Sequence, residues 1–233
     1  GEISAVITEG ASGIIVTEKT PFYAEMGGQS GDIGVIAKDN AEAKVINTRK
    51  NGDGIYLHEV EVLKGEFALN DKVELKVCSK NRMDISRNHS ATHLLHKALK
   101  EVLGTHVAQA GSLVIADRLR FDFSHFEAMT TEQIKEVEAK VNEAILSAME
   151  IVVRELPIEE AKKLGAEAQF GEKYGDVVRV VTMGDYSIEF CGGTHLKNTS
   201  EAGLIKILSE SGVAFVLVKP QFEAGRSNVG KRG

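Results

Sequence analysis

Ser86-Arg-Asn-His-Ser-Ala-Thr-His-Leu-Leu-His-Lys-Ala-Leu-Lys-Glu-Val-Leu103 is the stretch on which the fold turns. Ala91, Leu95, Ala98, Leu99 and Val102 recur at helical spacing, and Gly104 stands where a helix would stop. On its N-terminal side the chain is dense in β-branched residues. Ser4–Thr8, Gly13–Thr17, Ala43–Asn47 and Val73–Val77 read as short strands, with Gly27-Gly28, Gly52-Asp53-Gly54 and Asn70-Asp71 as turns. This predicts a small antiparallel β-barrel domain over residues 1–80. On the C-terminal side, Val107–Ile115 and Arg118–Ser124 read as a hairpin with Leu119, Phe121 and Phe123 on one face. Thr130–Met149 reads as an amphipathic helix. Strands over Ile151–Glu155, Val177–Thr182, Tyr186–Phe190 and Leu204–Leu208, and a short helix over Pro157–Leu164, complete an α+β domain over 81–214. Residues 215–233 read as an atypical tail, with disorder expected after about Pro220.

The 233 residues carry 28 basic and 34 acidic side chains, a net charge of −6. That length with 42 % hydrophobic residues is enough for a packed core. No apolar run approaches the roughly 18 residues that span a membrane, and no signal peptide opens the chain, so a cytoplasmic protein without membrane partners is expected. Cys78 and Cys191 are far apart in sequence, which argues against a disulfide framework. The acidic balance counts against tight, nonspecific binding to duplex nucleic acid. Basic residues do gather near the helix, however: Arg82, Arg87, Lys97, Lys100, Arg118 and Arg120.

Three of the seven histidines, His89, His93 and His96, form a stripe on the helix away from its apolar face. An i, i+4 pair places two imidazoles on adjacent turns, as a helix does when it offers two nitrogens to zinc. A second half-site is Cys191-Gly-Gly-Thr-His195. Tyr186, Ile188 and Phe190 should share one strand face, leaving Cys191 in register with Ser187 and Glu189 on the other. Gly192-Gly193 permits the tight turn that returns His195 toward the Cys191 sulfur. His89, His93, Cys191 and His195 thus form a His₃Cys set whose thiolate and imidazoles suit Zn²⁺ better than magnesium or calcium. From spacing alone, His96 competes as a ligand, and a solvated histidine face is the plainer reading. Ser90-Ala-Thr92 between the histidines, without the glutamate base of His-Glu-x-x-His, argues against a metalloprotease.

Five ordered motifs carry a resemblance: Phe22-Tyr-Ala-Glu-Met-Gly-Gly-Gln-Ser-Gly31, Asn88-His-Ser-Ala-Thr-His-Leu-Leu-His96, Gly104-Thr-His-Val-Ala-Gln109, Leu119-Arg-Phe-Asp-Phe-Ser-His125 and Met183-Gly-Asp-Tyr-Ser-Ile-Glu-Phe-Cys-Gly-Gly-Thr-His195. Together they resemble the editing region of bacterial alanyl-tRNA synthetases and the free-standing editing proteins related to it, from near residue 5 to about Ala214. The resemblance implies a small β-barrel followed by a zinc-containing α+β editing domain that hydrolyses tRNA mischarged with serine or glycine. It maps the metal ligands to His89, His93, Cys191 and His195. It places Thr92 and Gln109 in the editing pocket, with Cys191 as a further catalytic-site candidate, and Gly27, Gly28 and Gln29 against the substrate. Read from the residues alone, Thr92 and Gln109 are simply solvated polar side chains and Gly27-Gly28 a turn.

No aminoacylation domain is visible, so the expected partner is the acceptor end of alanine tRNA, with an alanyl-tRNA synthetase in cis or in trans. After Ala214 the sequence departs from the family pattern. Two other readings remain: a threonyl-type editing domain, which shares the His-x-x-x-His and Cys-x-x-x-His plan, and a non-catalytic zinc module that binds tRNA.

Overall fold

The computed structural model describes residues 5–167, 175–210 and 213–219. Two compact units divide it, Gly1–Met83 and Asp84–Gly233.

The first unit is antiparallel β. Strands β1 (Val6–Thr8), β2 (Ser12–Ile15), β3 (Gly34–Lys38), β4 (Ala41–Lys50), β5 (Tyr56–Lys64), β6 (Glu66–Ala68) and β7 (Glu74–Val77) form a five-stranded sheet in the order β2-β5-β4-β3-β7 and a two-stranded ladder, β1-β6. The expected barrel is not formed. Strands β2 and β7, four residues each, are the sheet's opposite edges and do not pair with each other among the described residues. Closure requires a continuous hydrogen-bond ladder around the whole circuit, and β1, the strand before β2, pairs with β6 instead. The unit's core is Phe22, Ile36, Ala41, Ala43, Val45, Val60, Val62 and Phe67. Strand β4 alternates in and out until a register shift between Val45 and Asn47, beyond which Thr48 is the next fully buried side chain.

His58 lies in this core as a neutral ring. Its Nδ1 faces the Ile15 carbonyl at 2.9 Å and must carry the proton, so Nε2 accepts from the Thr20 hydroxyl at 2.8 Å. Burial holds its pKa below 6.5, against the opposing pull of the Ile15 carbonyl. Because the fold prefers the neutral ring, the unfolded chain binds the proton first on acidification. The stability it contributes is present above pH 6.5 and lost as the pH falls below that value. We expect the thermal midpoint to drop between about pH 7.5 and about pH 5.5, and His58→Gln to flatten that slope. Equal slopes in both proteins would refute the assignment.

The second unit holds helix α1 (Ser79–Leu103) from Asp84 onward, followed by β8 (Gln109–Val114), β9 (Leu119–Phe123), α2 (Thr131–Leu146), β10 (Ile151–Pro157), α3 (Ile158–Lys163), β11 (Val177–Met183), β12 (Ser187–Phe190), β13 (Leu204–Glu210) and β14 (Val213–Lys219). Helix α1 begins seven residues before the expected Ser86 and ends where expected, at Gly104 with φ 113°. Helix α2 is opened by a capping box between Thr130 and Gln133. Two antiparallel sheets accompany the helices, in the orders β13-β14-β9-β8 and β10-β11-β12. Residues 213–219, most of which the sequence assigns to an atypical tail, are strand β14, paired to β13 and β9. Residues 220–233, where disorder was expected, lie outside the described residues.

Leu94, Leu95, Leu99, Leu119, Phe121, Val137, Val141, Ile145, Val181 and Met183 build one core, and Ala161, Val178, Val180 and Phe190 another. Strand β11 therefore serves both, one face to each. Its partner β12 does the same: Val180 pairs with Phe190 on one face, while Val181 pairs with Glu189 and Met183 with Ser187 on the other. Tyr186 does not share the Ile188 and Phe190 face as expected. It sits in the turn after Gly184 (φ 51°) and packs on the first core.

Candidate metal centre

The stripe of histidines on α1 does not face solvent. Nine consecutive residues, Asn88 to His96, are buried, so the helix is enclosed on all sides along this segment. Because β12 places Glu189 on the same face as Val181, the pleat carries the next alternate residue, Cys191, to that side as well. The Cys191 amide donates to the Arg179 carbonyl at 3.0 Å, extending the ladder. The chain then turns through Gly192-Gly193 and returns His195. Arg179 holds this turn, with Nη1 donating to the Cys191 carbonyl at 2.8 Å and the Gly193 carbonyl at 2.6 Å. Ser86 and Thr194 join the helix to the same loop through a 3.0 Å hydroxyl contact.

One ligand atom from each of His89, His93, Cys191 and His195 lies within 4.8 Å of all the others. The Cys191 Sγ is 3.3 Å from His89 Nε2 and 3.2 Å from His195 Nε2. A tetrahedral zinc with ordinary bond lengths separates its ligand atoms by about 3.3–3.6 Å. His93 Nε2 is buried without a hydrogen-bond partner among the described residues. A buried imidazole nitrogen left bare while its neighbours converge fits a metal ligand better than a core histidine. His96 is not part of this group; its Nδ1 is turned to Glu189 Oε1 at 3.2 Å and its ring lies 5.3 Å from that of Phe121.

Hydrogen bonds orient the ligands. His195 Nδ1 is 3.2 Å from Ser90 Oγ, which also accepts the Leu196 amide at 3.1 Å. His93 Nδ1 is 2.8 Å from Glu189 Oε2, and the Gly193 amide donates to Cys191 Sγ at 3.4 Å. The electrostatics favour an anionic sulfur. Burial raises the Cys191 pKa, but His89 and His93 outweigh it and hold the thiol well below its usual range, as a thiolate. Burial lowers His93, yet Glu189 and Cys191 hold it well above 6.5. His195 is pushed down to about 3, first by burial and then by His89, against the pull of Cys191.

Cys191 and His195 of the cluster fall inside one of two stretches that match known families. Residues 1–81 match the family model for tRNA synthetases class II (A), and residues 178–218 match the one for the threonyl and alanyl tRNA synthetase second additional domain. The alanine--tRNA ligase of Acetivibrio thermocellus is 59 % identical over 206 residues, covering 88 % of this chain and 23 % of that protein. Those of Clostridioides difficile and Staphylococcus saprophyticus are 55 % and 51 % identical, over 88 % and 97 % of the chain and 23 % and 26 % of the relatives. The chain matches a region of the alanyl-tRNA synthetases. It spans about a quarter of the length of these curated relatives. The threonyl-type alternative is not favoured, because these matches are alanine ligases. The second family match continues to residue 218, so the family pattern does not end at Ala214.

In this alanyl-tRNA synthetase region the remaining expected site residues belong to both units. Thr92 is buried on α1, and its hydroxyl donates to the Asn88 carbonyl at 2.8 Å. Gln109 opens β8, half-buried, beside a register shift between Gln109 and Gly111. Gly27 and Gly28 have φ of 60° and 82°, and the Met26 and Gln29 backbones pair at 3.2 and 3.1 Å, so the segment is a tight turn of the type that two positive φ values define. Gln29 is buried. Of the six basic residues, Arg82, Arg87, Lys97, Lys100 and Arg120 form ion pairs with Asp32, Asp84, Glu101, Glu167 and Asp122. Glu189 and Ser90 were not among the expected site residues. The signal for Glu189 was present as a carboxylate two positions before Cys191 on the same strand face; nothing local marked Ser90. Among the described residues, no helix is long and apolar enough to cross a membrane.

Proposed function

We propose that this chain is a cytoplasmic aminoacyl-tRNA hydrolase that removes serine or glycine mischarged on alanine tRNA. The observation that carries it is the convergence of His89, His93, Cys191 and His195 in a chain whose relatives are alanine ligases. Alanine is small, and an activation site shaped for it rejects a hydroxyl or a missing methyl by only about one to three kcal/mol, so a second, hydrolytic selection is needed. Zinc bound by these four side chains would supply electrophilic polarisation or orientation of the aminoacyl group.

The chain's own residues prepare the pocket. Thr92 commits its proton to the Asn88 carbonyl, which leaves its oxygen as an acceptor only. That is the polarity needed to receive a substrate serine hydroxyl and to go unpaired when alanine enters. Gln109 would hold the aminoacyl group, and Gly27, Gly28 and Gln29 would contribute to discrimination. Water then attacks the ester carbonyl carbon, the bond to the terminal ribose oxygen breaks, and that oxygen takes the proton, releasing free serine and uncharged tRNA.

Since most nearby basic side chains are paired with carboxylates, the chain alone should hold tRNA weakly, in a salt-sensitive way. The test is hydrolysis of serine carried on alanine tRNA compared with serine carried on threonine tRNA. Turnover of the first supports the proposal; turnover of neither by the zinc-loaded chain overturns it in favour of a binding module. Thr92→Val keeps the side chain's shape and should lower seryl hydrolysis about tenfold with little change in melting temperature. Unchanged serine hydrolysis would remove Thr92 from the pocket.

A further inference from the structure

Glu189 lies between two buried imidazoles of α1. Its Oε2 lies 2.8 Å from His93 Nδ1, and its Oε1 lies 3.2 Å from His96 Nδ1 and 3.3 Å from the Ser187 hydroxyl. All four side chains are buried. An ionised carboxylate only accepts hydrogen bonds, so each imidazole must present an N–H at Nδ1. Both distal nitrogens, His93 Nε2 and His96 Nε2, are buried without a hydrogen-bond partner among the described residues. From these contacts we propose that Glu189 is a positioning residue that sets one tautomer on two histidines at once, aiming His93 Nε2 at the metal and keeping His96 out of the ligand set.

The two-point grip explains the choice between near-equivalent histidines. His89, His93 and His96 all lie within two turns of helix, and a free His96 ring offers the same ligand chemistry as its neighbours. With both carboxylate oxygens engaged, rotating either ring to bring Nδ1 toward the cluster would break a buried charged hydrogen bond, which is costlier than losing a solvated one. The same arrangement raises the donor strength of the His93 nitrogen that faces the cluster. Ser90 plays the corresponding part for His195, but through a neutral oxygen shared with the Leu196 amide. Glu189 thus gives the His93 ring a charged partner, where Ser90 gives the His195 ring a neutral one.

The inference rests on the metal-binding reading of the cluster, and its test needs no tRNA. In the zinc-loaded wild-type chain, nitrogen-15 NMR of the imidazoles should show the proton on Nδ1 for both His93 and His96. The opposite tautomer at either ring overturns the proposal. Glu189→Gln offers one acceptor and one donor where the carboxylate offers two acceptors, so it satisfies one ring and opposes the other. Zinc affinity, read by competition with a chromophoric chelator, should fall about 10–100-fold, with Glu189→Asp recovering part of the loss. Affinity within about threefold of wild type in a folded Glu189→Gln chain would overturn the proposal; should that variant not fold, the wild-type tautomers decide. A chain with the expected tautomers and no Ser-tRNA hydrolysis would defeat the hydrolase reading alone, and an active chain with the wrong tautomers would defeat this one alone.

Discussion

Cys191→Ala is expected to abolish both zinc retention and seryl-tRNA hydrolysis, the latter by on the order of a hundredfold or more. The thiolate is the only anion among the four converging ligands, and His89 and His93 act most strongly to keep it ionised. Without it, three imidazoles face one another in a buried space with no charge to offset a dication. The stability readout separates metal from chemistry. Zinc binds the folded chain and stabilises it by mass action, so chelation should lower the melting temperature of wild type and leave Cys191→Ala unmoved. Full hydrolysis of Ser-tRNA by a zinc-free Cys191→Ala chain would sink the metal's part in the reaction.

The second large effect lies in the other unit. Gly34→Ala should destabilise it by about 3 kcal/mol or more, because overpacking that only backbone movement can relieve lies at the costly end of such substitutions. A Cβ at Gly34 would stand 2.1 Å from the Lys76 carbonyl oxygen and 3.0 Å from Phe22 Cζ and Val77 Cα. Strand β3 is paired on both sides there, to Val45 of β4 and to Val77 of β7, so relief requires a ladder to part. Gly27 supplies the contrast. Nothing lies within 4 Å of a Cβ there, and only its φ of 60° resists substitution. Gly27→Asn, a residue that tolerates this conformation, should leave stability within about 1 kcal/mol of wild type. If Gly27→Asn also loses serine-over-alanine discrimination while staying folded, the turn contributes to selection; unchanged discrimination makes it a turn only. Urea unfolding followed for both variants would expose an error in either expectation, most directly if Gly34→Ala unfolds at the wild-type midpoint.

Local rules carried much of the fold. The helix that ends at Gly104, the capping box at Thr130 and the buried Leu119 and Phe121 face of β9 all follow from short-range periodicity and capping. Expectations failed where pairing partners were involved. The first unit reads as a set of strands, but the number of β-branched residues says nothing about whether edge strands β2 and β7 will meet. Likewise, α1 carries too many polar residues for helical periodicity to mark it as enclosed, and its stretch from Asn88 to His96 is buried nonetheless. Several of its polar atoms are compensated there by distant partners: Asn88 Nδ2 by the Ile115 and Ala116 carbonyls, Ser90 Oγ by Leu196 and His195, His93 Nδ1 and His96 Nδ1 by Glu189.

The amino-acid sequence by itself determined the ligand chemistry: two imidazoles one helical turn apart, and a thiol and imidazole separated by two glycines and a threonine. These depend on helix pitch, strand pleat and glycine freedom, which act over a few residues. Tertiary structure decided which two of the three helix histidines join the cluster and turned the third aside, onto a carboxylate 93 residues away that also holds His93, 96 residues from it. A hydrogen bond across such a separation exists only once β12 and α1 have packed, and no local pattern encodes it.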